Sequence, residues 1–89
     1  MSNKSWKQIM LDSLQIRYER KAIDWENEHN DKRIVSNTYF MIVEALESLP
    51  AEPNNYVKVA MHAHIREHEE LMNSIIKRVE RIERGEYEI

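Results

Sequence analysis

The chain has no cysteine in its 89 residues, a single glycine and only two prolines. Without thiols there is no disulfide, no thiolate metal site and no cysteine nucleophile. That is compatible with a reducing compartment. With Gly85 as the lone glycine there is no glycine-rich phosphate loop. Charge of one sign is scarce as well. Thirteen basic residues face sixteen acidic ones, and a net charge of −3 is too mild to point to nucleic acid, an anionic membrane surface or a DNA mimic. No apolar run approaches the roughly 20 residues that span a bilayer, and the stretch from Met1 to Trp6 lacks the apolar core of a signal peptide. These absences lead to the expectation of a soluble, cytoplasmic protein. Its Lys-, Ile-, Asn- and Glu-rich usage would suit a bacterial or phage accessory protein.

What is present is helical periodicity. Met61, Ile65, His68, Met72, Ile75, Val79 and Ile82 are spaced alternately by four and three. That is the a/d seam of a helix lying along another helix, sustained for about three heptads. Both prolines fall between Leu49 and Asn54 and mark a firm break, because proline removes a donor and clashes with the preceding turn. The pattern predicts helices over about 5–28, 32–49 and 55–84, joined across a proline turn at 50–54, in one helical domain. Ser5 with Gln8 fits a capping box. Asn54 reads as the N-cap of the last helix and Gly85 as its stop. Asn27 to Asp31 interrupts the pattern without a Gly or Pro, so one long helix from 5 to 49, in a two-helix hairpin, is the alternative. The fold class expected is all-α: an antiparallel three-helix bundle, its third helix longest, assembled as a homo-oligomer.

Oligomerisation is expected for two reasons. So short a chain leaves much of its surface exposed, and the first helix carries two apolar faces. Met10, Leu11, Leu14, Tyr18, Ala22 and Trp25 form one; Ile9, Ile16 and Ile23 recur every seven residues on the other, with Trp6 nearby. A monomeric surface helix shows one stripe. A helix sandwiched within one chain is the alternative. The expected oligomer interface is therefore Ile9, Ile16, Ile23 and the seam Met61, Ile65, His68, Met72, Ile75, Val79, Ile82. In the second helix Val35, Tyr39, Ile42, Leu46 and Leu49 share a seam, with Ile34, Met41 and Ala45 across from it, so that helix reads as largely buried. Met41, Met61 and Met72 read as gap-filling core.

Three groups of residues carry candidate chemistry. His64-Ile65-Arg66-Glu67-His68 matches H-x-x-E-H, the inverted zincin motif, in which two histidines one turn apart bind zinc and the glutamate acts as base. The match covers five residues and lacks a third ligand, so a metal-stabilised bundle using His64 and His68 is the stronger form of that reading. Its bland counterpart makes His68 a hydrogen-bonded seam residue that fixes register. Arg17, Tyr18, Arg20, Lys21 and Trp25 combine cations with aromatics at helical spacing, suited to a small anionic or nucleotide ligand at a subunit interface. The bland counterpart makes Tyr18 and Trp25 core and the cations their solvated rim. His29 and His62 read as surface residues. Asp12, Glu19, Asp24 and Glu28 do not form the paired acidic signature that all-α nucleotide pyrophosphatases use for magnesium. No nucleophile–base pair stands out, so no enzyme activity and no cofactor is expected. The leading expectation is a non-enzymatic regulatory or inhibitory protein whose partners are itself and another protein, with nucleic acid and membrane disfavoured.

Overall fold

The computed structural model of the chain describes residues 3–86; the tail after Gly85, which by sequence could fold back, swap into a neighbour or dock elsewhere, lies outside them from Tyr87 on. Among the described residues there are three helices and no strand: α1 Trp6–His29, α2 Arg33–Glu47 and α3 Asn55–Glu83. They run up, down and up. α2 packs against both neighbours, and α1 and α3 lie parallel to each other on either side of it. No helix among them is long and apolar enough to cross a membrane.

The helix ends follow from local chemistry. Ser5 Oγ accepts from the Gln8 backbone N–H at 3.1 Å. The reciprocal half of the expected capping box is missing, because the Gln8 side chain donates to Asp12 Oδ1 at 2.8 Å instead. α1 ends where Asn30 turns into the left-handed region at φ 54°, and its N–H bonds to the Glu26 carbonyl. Asparagine tolerates that conformation better than most side chains. The break at Asn30 rules out the continuous helix from 5 to 49. α2 stops at Glu47, two residues before the expected end. Pro50 disfavours helical backbone at Leu49, and the Ser48 hydroxyl donates back to the Ala45 carbonyl. α3 starts on Asn54, whose side chain accepts from Val57 N–H. It ends with Gly85 at φ 73°, the Gly85 N–H on the Ile82 carbonyl and the Glu86 N–H on the Arg81 carbonyl. Those two bonds make a Schellman motif, which favours glycine at its left-handed residue.

Each helix supplies three buried apolar residues: Leu14, Tyr18 and Trp25; Val35, Ile42 and Leu46; Met61, Ile65 and Met72. The three from α2 are wholly inaccessible, as expected of the middle helix. The molecule is long and thin, with extents of 51 × 26 × 15 Å and a radius of gyration of 15.7 Å. A compact chain of this length would have a radius of about 12 Å.

Several expected positions shift. Met61, Ile65 and Met72, expected on an oligomer seam, are buried by this chain's own helices. Beyond Met72 the buried line drifts: Ile76 and Val79 pack on the core, while Ile75 and Ile82 are 37% and 56% exposed. A straight α-helix has 3.6 residues per turn and loses a strict heptad by about 20° each repeat. Met41 is exposed rather than core. Trp6 belongs to the core side of α1, edge-on to His62 with ring centroids 5.9 Å apart. His29 is not a surface residue: its side chain is only 13% exposed.

Candidate functional site

Along one side of the molecule α1 and α3 do not touch through their backbones, and a groove runs between them. Its larger part, about 450 Å³, is lined by Arg17, Tyr18, Arg20, Lys21, Asp24, Glu69, Met72 and Asn73. Four of the five residues expected to hold an anionic ligand thus converge. Spacing explains this. Positions 17, 20, 21 and 24 lie on neighbouring rows of one helix flank, and Tyr18 beneath them is the core residue that sets how far that flank stands from α3. Trp25, the fifth, is not in the groove. It is buried, with its ring 3.9 Å from that of His29.

Glu69 of α3 organises the groove. Its Oε2 accepts from Arg17 Nη2 at 2.8 Å and from the Tyr18 hydroxyl at 2.8 Å. The residue is part-buried, and the bridge ties α1 to α3 where their backbones stand apart. Burial first, then the hydrogen bond to Glu69, pushes the Tyr18 phenol far above its usual range. Tyr18 therefore stays a neutral donor. Among the described residues Arg20 and Lys21 make no ion pair, so three cations and two carboxylates leave the groove mildly positive. An incoming anion meets Arg20 and Lys21 directly and must compete with Glu69 for Arg17. Past the bridge the groove continues over Met10, Ser13, His62 and Arg66.

The second expected group, His64 and His68, faces the other side, in a shallow groove with Met41, Glu44, Ala45 and Ser48. The two rings meet edge-on, 4.3 Å between centroids. Glu44 shares the groove, but among the described residues no third donor atom converges with the two imidazoles to within 4.8 Å. The group whose donor atoms do converge is Glu28, His29 and Glu80, all within 4.8 Å of one another. Sequence reasoning missed it, since Glu80 is 51 positions from His29 and the local run Asn27 to Asp31 reads as a polar turn.

The third expected feature is the second face of α1. Ile9, Ile16 and Ile23 are 55%, 71% and 58% exposed, on the side of the helix away from Leu14, Tyr18 and Trp25. Comparison with known proteins places the chain in no group: no protein-family model, no curated protein and no solved structure matches it.

Proposed function

We propose that this protein is a non-enzymatic regulatory or inhibitory module, cytoplasmic, that self-associates and binds a further protein through apolar helix faces. The observation that carries this reading is the open row Ile9, Ile16 and Ile23. Fully burying one isoleucine is worth about 1.5–3 kcal/mol, so three on one line favour association. Spacing places Asp12, Glu19 and Glu26 along one edge of that row and Arg20 along the other. A second copy laid parallel along α1 brings the acidic edge of one against the basic edge of its neighbour. The uncovered α3 residues Leu71, Ile75 and Ile82 then remain for a foreign helix. Light scattering coupled to size exclusion, at two concentrations and with chelator, tests the first step. The wild-type chain is expected to run as an oligomer and Ile16→Glu as a monomer. A monomeric wild type, or an unmoved variant, sinks the reading.

A second reading, sequestration of a small anionic or nucleotide ligand, draws on the convergence of Arg17, Tyr18, Arg20 and Lys21 in one groove. A ligand that binds only the folded chain raises its stability by about 2.7 kcal/mol at one hundred times Kd. A thermal shift with phosphate or a nucleotide, lost in Arg20→Gln/Lys21→Gln, would favour it over the first. No shift across the panel disposes of it.

A further inference from the structure

At the end of the molecule opposite the prolines, α1 and α3 finish side by side. His29 is the last residue of α1, Glu28 precedes it, and Glu80 and Glu83 occupy the last turn of α3. His29 Nδ1 lies 2.7 Å from Glu83 Oε1. Both ring nitrogens are buried and neither makes a regular hydrogen bond; Glu28 Oε2 stands 3.4 Å from Nε2. The donor atoms of Glu28, His29 and Glu80 all lie within 4.8 Å of one another. Trp25, itself buried, covers the imidazole at 3.9 Å between ring centroids.

Three features of this corner ask for a cation. Three carboxylates, those of Glu28, Glu80 and Glu83, gather around one imidazole. All of these groups sit at helix C-termini, where the macrodipole is negative and carboxylates are unfavourable. Because α1 and α3 are parallel, both negative ends point the same way. The third feature is geometry. A carboxylate on one ring nitrogen of a histidine orients the ring and leaves the other nitrogen for a metal. Glu83, whose Oε1 is 2.7 Å from Nδ1, stands where that orienting carboxylate belongs.

We propose that Glu28, His29 and Glu80 bind a divalent first-row transition ion, with Glu83 as the positioning residue behind His29. With bonds of 2.0–2.2 Å, the edge of a tetrahedral set is about 3.4 Å; Glu28 Oε2 already stands at that distance from Nε2, and the wider spacings in the set close by rotation of the Glu80 and Glu28 side chains. One nitrogen and two carboxylate oxygens suit zinc or cobalt, and water completes the set. The bound ion clasps the ends of α1 and α3. His64 and His68 share a groove with Glu44, but among the described residues no third donor atom comes within 4.8 Å of theirs.

The test uses Co²⁺ and the full chain carrying Trp6→Phe, which leaves Trp25 as the reporter. Trp6 is about 28 Å along α1 from Trp25, so its removal leaves the site untouched. Co²⁺ is expected to quench Trp25 fluorescence saturably with one ion per chain. Glu28→Gln, on an exposed side chain, and Glu80→Gln, on a half-buried one, should each weaken binding at least about tenfold. Glu83→Gln should weaken it by about 10- to 100-fold, the usual size of an outer-shell effect. His29→Gln should abolish it, and His64→Gln/His68→Gln should leave it unchanged. Absence of saturable quenching below about 1 mM Co²⁺, where affinity falls beneath about 4 kcal/mol, overturns the proposal. So does equal binding by folded His29→Gln or by both glutamine variants at positions 28 and 80, or its loss in the His64/His68 variant.

Discussion

The two ends of this bundle are fastened by different chemistry. At the proline end the backbone does most of the work. Lys7 N–H donates to the Ala51 carbonyl at 3.1 Å and Trp6 N–H to Glu52 Oε1 at 2.7 Å. The Lys7 ammonium donates to the Glu47 and Leu49 carbonyls, at 2.9 Å each. α2 has no basic residue in its own last turn, so Lys7 of α1 supplies the charge that its orphan carbonyls lack. At the histidine end the link from α1 to α3 is the contact of His29 with Glu83. One end is therefore held by groups that keep their charge across the physiological range, the other by the one side chain whose ordinary pKa lies within it. A proton on His29 acts on the histidine end.

The largest disturbance should erase the distinction. Ile42 is fully buried in the middle of α2, between the two ends. Ile42→Ala is expected to cost about 2–5 kcal/mol in urea unfolding, with amide protection falling at both ends together. Loss at one end alone would show that the two unfold separately. A smaller change sharpens the contrast. Lys7→Met removes both donors to the carbonyls of α2's C-terminus, a loss of about 1–2 kcal/mol, equal at about pH 5 and pH 8 because lysine stays charged at both. Asn54→Ala at the same end removes the α3 cap for about 1 kcal/mol, again without pH dependence.

The smallest effect has the most specific signature. Glu83 raises the pKa of His29 above its ordinary value against an opposing effect of burial, with Glu28 and Glu80 adding to the rise. A folded pKa above the unfolded one means stability that is complete below about pH 6.5. It is lost as pH climbs through the raised value. With chelator present, the melting temperature of the wild type should fall across that window, while that of His29→Gln should stay flat. A flat wild-type profile would make the two ends alike after all.

The sequence carried the local features of this fold well. Ser5, Asn54, Gly85 and the proline pair act within four residues of themselves, and the helix ends follow them closely. Features that depend on another helix were harder to read. The heptad spacing placed Ile75 and Ile82 inward, but a straight helix put Ile76 there. Met41 looked buried because α2 is apolar on several sides; which side meets a neighbour depends on where α1 and α3 lie. Arg17, Tyr18, Arg20 and Lys21 were legible as a cluster, since one helix flank brings them together. Their partner Glu69 was not, standing 51 and 52 positions away. Trp25 was grouped with them by type, although its spacing of seven from Tyr18 already marked it as core.

The middle position of α2 bears on how the chain finds its fold. Each helix packs on its neighbour in sequence, and α1 meets α3 through a few long side chains rather than through close backbones. Low sequence separation between contacting residues goes with folding in microseconds to milliseconds. α2 can recruit either neighbour first, so two routes of similar length lead to the native state. The Arg17–Glu69 and His29–Glu83 bridges need both flanking helices in place and close last. Bonds formed after the rate-limiting step govern how slowly the chain comes apart rather than how fast it assembles. If the His29–Glu83 contact closes after that step, a proton at His29 acts on the lifetime of the folded chain rather than on its rate of formation.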